Sequence, residues 1–548
     1  MTKLRELFST RKTAQNQPIP GSGQVPNSAG GYAWQVDDWM QLDRFLILGS
    51  ENGTYYITPQ KLTAENAHAV MRCLDEDGLR VVNRVVEISE NGRAPKNDPA
   101  LFVLAMAAGL GDEATRKAAL AALPQVARTG THLFHFMDYV EGFRGWGRAL
   151  RRGIAEWYTG MDAERLAYQA VKYQQRDGWS HRDALRLAHP KAPTAVHDQL
   201  FNWITQGWDT QGWDTQGWEA ETMPETPPDM PALKTIWAFE QAKRAVDEEV
   251  ILKLIETHKL PWEAIPSNWH GSTAVWKALL PGLPMTALIR NLARLTANGV
   301  LKPGGDDARQ VVARLRDADQ LIRARIHPIA ALSALMTYQQ GKGMRGSLTW
   351  EPLTAVIDAL DEAFYKSFKT ITPTNKRLVL ALDVSGSMAG GMVAGVPGLT
   401  PRVASAAMAL VTAATEPDVT IVGFARKMVH LNISARQRLD DAVKTISGLP
   451  FGRTDCAQPM LWALKKGVKA DAFIVYTDSE TWYGKIHPVQ ALQEYRQKTG
   501  IPAKLIVVGM VSNRFSIADP NDAGMMDVVG FDTAVPQVMS DFIGDFIG

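Results

Sequence analysis

The chain has few of the features that mark secreted or membrane-bound proteins. Only Cys73 and Cys456 among its 548 residues are cysteines, which excludes a disulfide framework and a cysteine-rich zinc site. No run of roughly 18 apolar residues occurs, and the charged first segment lacks the apolar core of a secretory signal. We therefore expect a soluble cytoplasmic protein without a membrane span, and we expect it to act as a monomer.

The chain also lacks an excess of either charge. Lys and Arg number 59 against 58 Asp and Glu, so any surface that binds nucleic acid must be local. The length predicts two or more domains. The first part is predicted to be a flexible N-terminal arm over residues 1–31, because the stretch 10–31 is rich in Gln, Pro, Ser and Gly.

Residues 32–370 have a mostly helical pattern. Helix-start signals recur, for example at Asp98-Pro99 and at Pro284. Helix after helix with short connections predicts an α-solenoid of helix pairs similar to HEAT repeats. The polar repeat TQGWDTQGWDTQGWE (205–219) predicts an inserted surface loop. Its Trp208, Trp213 and Trp218 could stack on bases, although an expansion tolerated within a loop is the simpler interpretation.

Residues 371–548 have a different texture, in which short apolar runs alternate with helical segments. The runs are RLVLALDV (377–384), VTIVGFA (419–425), AFIVYTD (472–478) and AKLIVVGM (503–510). The helical segments between them are 402–415, 456–468 and 488–500. Buried strands that alternate with helices predict a doubly wound, largely parallel sheet.

Polar side chains follow the ends of these strands. Asp383, Ser385 and Ser387 come after the first run, Asp478 ends the third, and Thr454 lies in a loop between them. Ligand sites in open parallel sheets form at the carboxyl ends of the strands. Two carboxylates and several hydroxyls suit a hard divalent cation, with Mg²⁺ the best fit and Mn²⁺ or Ca²⁺ as alternatives.

The D-x-S-x-S segment in this context resembles a von Willebrand factor A domain, whose metal-ion-dependent adhesion site has this form. The resemblance implies that Asp383, Ser385, Ser387, Thr454 and Asp478 are direct or water-bridged ligands of the metal. It also implies a partner protein whose acidic side chain supplies a further ligand.

A second group of candidate residues is basic. Lys172 and Arg176 are four residues apart and are predicted to share a helix face, with Gly178 as the C-cap of that helix. Ser180 and Asp183 form a capping-box pattern that opens the next helix. On that helix Arg182, Arg186 and His189 are predicted to share one face, and Arg148, Arg151 and Arg152 extend the patch. Such clusters neutralise phosphates, although a solvated helix face with ordinary salt bridges has the same spacing.

Longer segments resemble the Ro family, the RNA-binding components of Ro ribonucleoproteins. They include YAWQVDDWMQLDRF (32–45), KYQQRDGWSHRDALRLAHPK (172–191) and LDVSGSM (382–388). The resemblance implies a ring of helical repeats, the TROVE module, closed by the von Willebrand-like domain. Residues important for Y RNA binding in the family match Lys172, Arg176 and His189, while Arg290, Arg294 and Arg345 are candidates for the ring interior. The repeat at 205–219 departs from the family pattern.

The family resemblance implies several partners. Members bind Y RNAs on the outer ring surface and single-stranded ends of misfolded noncoding RNAs in the central hole, which indicates a role in RNA quality control. The short N-terminus and loops indicate a bacterial member. For such members the resemblance implies an exoribonuclease as a partner, which is tethered through Y RNA. No catalytic motif is present, so we expect no enzyme activity. The alternative function is a metal-dependent protein-interaction scaffold without a primary RNA role.

Overall fold

The computed structural model describes most of the chain. The described residues are 12–49, 67–207, 227–343, 347–368, 371–390, 392–393, 399–429, 431, 433–434, 437–449 and 452–544. Trp208, Trp213, Trp218 and Arg345 lie outside these residues, as does most of the repeat at 205–219. No helix in the described part of the chain is long and apolar enough to cross a membrane.

The first large unit consists of successive helices. In chain order they are α1 (Asp38–Leu48), α2 (His68–Glu90), α3 (Asp98–Leu110), α4 (Glu113–Val126), α5 (Gly130–Phe143), α6 (Arg148–Thr159), α7 (Ala163–Lys172), α8 (His181–Ala188), α9 (Ala195–Gln206), α10 (Pro231–Arg244), α11 (Glu248–His258), α12 (Thr273–Leu279), α13 (Met285–Ala297), α14 (Asp306–Leu315), α15 (Ala318–Arg323), α16 (Pro328–Gln339) and α17 (Thr354–Lys366). The predicted starts at Asp98-Pro99 and Pro284 coincide with the starts of α3 and α13.

The two ends of this helical unit meet. Arg325 Nε, after α15, donates to the carbonyl oxygen of Glu90 at the end of α2 at 2.7 Å. The buried ring of His327 lies with Nε2 3.1 Å from Arg93 O and 2.8 Å from Phe531 O. One histidine side chain thus links the start and the end of the helical unit to the last part of the chain.

The last third of the chain forms the predicted α/β domain. Among the described residues of the chain, the strands are β1 (Val25–Pro26), β2 (Tyr32–Gln35), β3 (Gln175–Arg176), β4 (Trp179–Ser180), β5 (Arg377–Asp383), β6 (Asp418–Phe424), β7 (Met428–Val429), β8 (Ala472–Thr477), β9 (Lys504–Gly509), β10 (Phe515–Ser516) and β11 (Met525–Val529). Five helices accompany the sheet: α18 (Pro401–Thr415), α19 (Leu439–Ser447), α20 (Gln458–Lys466), α21 (Pro488–Thr499) and α22 (Val535–Gly544).

The central sheet has the strand order β11-β9-β8-β5-β6-β7. All neighbouring pairs are parallel except β6 and β7. Successive residues of β5 enter different cores, since Leu378, Leu380 and Leu382 pack on one face and Val379 and Ala381 on the other. The chain leaves β5 towards β6 and later returns to the other side of β5 with β8, which makes β5 and β8 the switch point of the sheet. This confirms the predicted fold class.

Residues 12–31 differ from the prediction of a flexible arm. Gln15 is fully buried, and its Nε2 donates to Asp455 Oδ1 at 2.6 Å and to Ile486 O at 2.7 Å. Asn27 Nδ2 donates to Thr481 O at 2.7 Å. A Cβ atom at Gly31 would lie 1.9 Å from Thr481 O, so only glycine permits this close approach. The polar composition suggested disorder because the partners of these side chains lie more than 400 residues away in sequence.

The remaining strands connect the two units. β2 pairs with β1 and with β10, and both pairs are antiparallel. Arg44 of α1 is 1% exposed and pairs with Asp527 of β11 at 2.6 Å. Arg438, before α19, pairs with Asp358 of α17 at 2.6 Å. The α/β domain thus contacts both the first and the last helices of the helical unit.

Candidate metal centre and basic surface

The five predicted metal ligands come together at the carboxyl edge of the central sheet, beside the switch point. Asp383 ends β5, and Ser385 and Ser387 follow it in a turn, with their hydroxyl oxygens 3.0 Å apart. Ser385 N donates to Asp383 Oδ1 at 2.9 Å. Asp478 follows β8 directly. All four side chains, and that of Thr454, are at most 4% exposed.

Backbone hydrogen bonds join the three loops that carry these residues. Gly386 N donates to Gly452 O at 3.0 Å, which ties the turn after β5 to the loop of Thr454. Thr454 O in turn accepts from Trp482 N at 3.3 Å and from Tyr483 N at 3.0 Å, in the loop after β8. The positions of the predicted ligands are therefore fixed relative to one another by the main chain.

The electrostatics of this centre fit a cation. Burial raises the pKa of Asp383, against the lowering effect of its hydrogen bonds from Ser385 and Thr477. Burial also raises the pKa of Asp478 well above its usual range, and the charges of Asp383 and Glu480 raise it further. Asp478 Oδ2 is buried without a hydrogen-bond partner among the described residues. An orphaned carboxylate oxygen beside a second buried carboxylate is the arrangement that a bound cation stabilises.

The donor set also limits which cation would fit. Among the described residues, no group of three or more His, Cys, Asp and Glu side chains is placed to hold a metal ion. Two carboxylates and hydroxyl oxygens would therefore be the donors, and such hard ligands suit Mg²⁺ better than zinc or copper.

Several residues around the centre were missed in the sequence. Thr477 Oγ1 donates to Asp383 Oδ2 at 2.7 Å across the switch point. The buried Arg402 of α18 donates through Nη2 to Ser385 O at 3.0 Å and to Val384 O at 2.5 Å, and through Nη1 to Leu449 O at 2.9 Å. The pairing of β5 with β8 would have indicated Thr477, whereas no local pattern marks Arg402.

Glu480 is a further missed residue. It is fully buried, its Oε2 accepts from Ala29 N at 3.1 Å, and its Oε1 has no partner among the described residues. Burial raises its pKa to about 7. Because Ala29 belongs to the segment predicted as a flexible arm, no sequence pattern indicated that this carboxyl is covered.

The basic residues lie on α6, α7, α8 and the connection between α7 and α8. α7 ends at Lys172, so Arg176 does not share a helix face with it, contrary to the prediction. Residues 175–180 instead form a hairpin of β3 and β4 with a two-residue turn, with positive φ at Asp177 (52°) and Gly178 (82°). Asp-Gly is the preferred sequence for such a turn. Gly178 is thus a turn residue and not a helix C-cap.

The prediction for the following helix is partly confirmed. Ser180 and Asp183 form the capping box that opens α8, and Arg182 and Arg186 lie exposed on this helix. His189 does not continue the face, because α8 ends at Ala188 and His189 is its left-handed cap with φ 46°. His189 is exposed all the same.

The hairpin is held in place by two neighbouring helices. His135 Nδ1 of α5 lies 2.5 Å from Asp177 Oδ2. The rings of Trp146 and Trp179 lie 5.3 Å apart, which brings the start of α6 next to the hairpin. Arg148, Arg151 and Arg152, on the exposed face of α6, therefore begin close to the hairpin that carries Arg176.

Lys172 differs from the other basic residues because its side chain is only 7% exposed. Its Nζ lies 3.2 Å from Tyr168 Oη and 3.9 Å from Glu263 Oε1. Burial lowers the pKa of Lys172, but the neighbouring Tyr173, Tyr168 and Glu263 outweigh it, so the net shift is upward and the side chain stays charged. Arg176, in contrast, has a 58% exposed side chain.

The two candidates for the ring interior that the structure describes lie on α13. Arg290 is exposed and lines a cavity of about 370 Å³ together with Lys96 and Arg325. Arg294 is half-buried, and its guanidinium lies 5.9 Å from the ring of Trp276. The cavity brings basic side chains from the start and the end of the helical unit together.

Comparison with known proteins identifies the family to which this architecture belongs. The TROVE domain family matches residues 25–337, and the Ro60 vWA domain family matches residues 377–543. The chain therefore belongs to the Ro60 family, as a TROVE domain followed by a vWA domain.

Relatives and a solved structure agree with this assignment. RNA-binding protein RO60 of Deinococcus radiodurans is 44% identical over 521 residues, or 95% of each chain. The Caenorhabditis elegans protein of the same name is 38% identical over 95% of this chain and 90% of that one. The crystal structure of the Deinococcus radiodurans RO (RSR) protein matches with a TM-score of 0.69 and 44% identity, covering 93% of this chain and 100% of that chain.

Proposed function

We propose that the protein binds RNA, and in particular that it binds Y RNAs on its outer surface and single-stranded ends of misfolded noncoding RNAs at the ring interior, in RNA quality control. The observation that carries the proposal is the set of exposed arginines on α6, the hairpin and α8. In the described part of the chain, Arg148, Arg151 and Arg182 have no carboxylate within ion-pair distance. Phosphates are the natural counter-charges for such a surface. The names of the two relatives, both RNA-binding proteins, support the same ligand.

Within this surface the residues differ in role. Arg176 is exposed at the edge of the hairpin; its Nε lies 3.5 Å from Asp177 Oδ1, and the exposed part of its guanidinium can bind a phosphate. Lys172 contributes a fixed positive charge beneath the hairpin, held by Tyr168 and Glu263. Arg182, Arg186 and the cap residue His189 extend the charge along α8.

For single-stranded ends, the cavity of Lys96, Arg290 and Arg325 supports the second part of the proposal. An unpaired RNA end offers a phosphate for the three basic side chains and the flat face of a base for the aliphatic lining. Arg294 stands one turn further along α13.

We also propose that the centre at Asp383, Ser385, Ser387, Thr454 and Asp478 holds one Mg²⁺ ion, with Mn²⁺ or Ca²⁺ as alternatives. The orphaned Asp478 Oδ2 supports this. When bound, the ion would offer an open position to an anionic oxygen, such as an acidic side chain of a partner protein. An exoribonuclease tethered through RNA is a further proposed partner.

We propose no catalytic role for this centre, because two-metal RNA cleavage requires more carboxylates than these two aspartates provide. Incubation of Mg²⁺-loaded protein with labelled RNA tests this point. Clean turnover that disappears in Asp383→Ala would show that the protein is an enzyme.

The RNA proposal is tested by sequencing the RNA that copurifies with the protein from its own cell extract. Enrichment of small structured noncoding RNAs is expected. Copurified RNA with the composition of the whole extract would contradict specific binding. If the protein acts only as an interaction scaffold, no RNA is retained after a wash at moderate salt.

A further inference from the structure

A group of basic and aromatic side chains lies on the loops next to Thr454, beside the predicted metal ligands and not among them. The guanidinium of Arg453 lies 5.0 Å from the ring of Trp482 and 5.4 Å from that of Tyr483. The guanidinium of Arg426 lies 5.2 Å from the same tyrosine ring. We call these four residues the arginine–aromatic rim.

The rim is built on three loops at the carboxyl edge of the sheet. Arg426 lies in the turn between β6 and β7, Arg453 in the loop before α20, and the two aromatic residues in the loop after β8. Asp455 N donates to Ala425 O at 3.2 Å, and Thr454 O accepts from the backbone of both aromatic residues. The four side chains are therefore positioned by main-chain hydrogen bonds and not by their own contacts alone.

The rim carries unbalanced positive charge. Arg426 and Arg453 are exposed, and neither has a carboxylate within ion-pair distance among the described residues. Lys427 and Lys485, both exposed, follow closely in the same loops. The aromatic rings are half-buried and stand nearly perpendicular to each other, with centroids 6.0 Å apart. Each ring thus has part of its surface open to a ligand.

We propose that the arginine–aromatic rim binds an unpaired RNA strand, separately from the basic surface on α6 to α8. Partly exposed aromatic rings can stack on bases of any sequence, and arginines bind the phosphates between the bases. A guanidinium can lie flat on a ring and still donate to a phosphate through its edge. An acidic peptide would satisfy the charges but would leave the rings without a role, so RNA fits the rim better.

This inference rests on the proposed RNA-binding function and adds a second RNA site, on the vWA domain. The experiment uses the full chain and two fluorescent probes: a single-stranded oligoadenylate of about ten nucleotides, within the site size of such surfaces, and a structured Y RNA. Affinity is measured by anisotropy at fixed Mg²⁺ and moderate salt. Measurements are repeated in an Arg290→Ala/Arg294→Ala background, so that oligoadenylate binding at the ring interior does not mask binding at the rim.

For the oligoadenylate, Trp482→Ala/Tyr483→Ala is expected to weaken binding about tenfold, the order of the stacking of one base. Trp482→Phe/Tyr483→Phe keeps the rings and is expected to retain affinity within about twofold, which separates stacking from misfolding. Arg426→Ala/Arg453→Ala is expected to reduce the salt slope by about 1.4, at roughly 0.7 per phosphate. Lys465→Ala/Lys466→Ala removes the same charge from the exposed end of α20 and serves as the control.

Three outcomes would overturn the inference. The first is unchanged oligoadenylate affinity in both rim variants while Lys172→Ala/Arg176→Ala loses Y RNA binding, which leaves the proposed function intact. The second is equal loss in the lysine control. The third is binding of a labelled glutamate-rich peptide that depends on the two arginines while RNA binding does not. If the wild type binds neither RNA probe, the proposed function fails together with the inference.

Discussion

The metal centre and the basic surface differ in how their residues are held. The centre is buried, and its side chains, backbone loops and the guanidinium of Arg402 form one connected set of hydrogen bonds. The basic surface is exposed apart from Lys172, and most of its arginines pair with no other charged group among the described residues. A change in the centre should therefore affect the stability of the fold, whereas a change at the exposed arginines should affect affinity alone.

The largest effect is expected from Arg402→Met. The buried carbonyl oxygens of Val384 and Ser385 and the partly buried one of Leu449 lose their donor, so the free energy of unfolding should fall by about 3 kcal/mol. The measurement is the urea midpoint of unfolding. Arg438→Ala is the control, since this half-exposed arginine should contribute about 1 kcal/mol or less. Equal effects of the two substitutions would contradict a connected centre.

The second prediction concerns the metal. Mg²⁺ at about one hundred times its dissociation constant should stabilise the wild type by about 2.7 kcal/mol and raise its melting temperature. Asp383→Asn should abolish that increase, while Asp441→Asn, an exposed aspartate on α19, should leave it intact. If Mg²⁺, Mn²⁺ and Ca²⁺ all leave the melting temperature of the wild type unchanged, the proposal of a bound metal ion is wrong.

A smaller effect, read as RNA affinity, is expected from Lys172→Ala/Arg176→Ala. Binding of a Y RNA should weaken roughly tenfold, and the log–log salt slope should fall by about 0.7 to 0.9 for each phosphate that the variant no longer neutralises. Filter binding at several salt concentrations measures both quantities. Lys465→Ala/Lys466→Ala, in the vWA domain, should change neither. Unchanged affinity of the first variant would place the RNA elsewhere.

The smallest effect is expected from His135→Ala. Without its polar partner on α5, Asp177 holds the hairpin less firmly, and Y RNA affinity should fall about threefold, which corresponds to about 0.5–1 kcal/mol for one partly exposed hydrogen bond. The effect should disappear in an Arg176→Ala background, because His135 acts only by positioning that arginine. Additive effects in the double variant would show a different role for the histidine.

The metal centre was easier to predict from the sequence than the basic surface. Asp383, Ser385 and Ser387 are close in sequence, and strand alternation and the sheet's edge place them with Asp478, so their proximity could be predicted from the sequence. The helices and strands were also predictable from local sequence. Short, fully apolar runs such as 377–384 and 472–478, set between helical segments, indicate buried strands.

The basic surface was predicted less well because it depends on where a helix ends. Lys172 and Arg176 have helical spacing, but the Asp177-Gly178 pair favours a hairpin turn over continuation of α7. That dipeptide was the signal that could have corrected the prediction. The covering of the centre by residues 12–31 had no such signal, because Gln15 and Asn27 find their partners only in the folded chain.

The packing of residues 12–31 against the loops near residue 480 has a consequence for synthesis. These first described residues leave the ribosome long before Asp455, Thr481 and Ile486 exist. At about 5–20 residues per second the delay is roughly 20 to 90 seconds. During that time Gln15 and Asn27 remain in water, Arg44 has no Asp527 to pair with, and the helices have no vWA domain to meet. Completion of the chain is therefore the event that joins the two domains, and a nascent chain stopped before residue 455 should expose its first segment to protease.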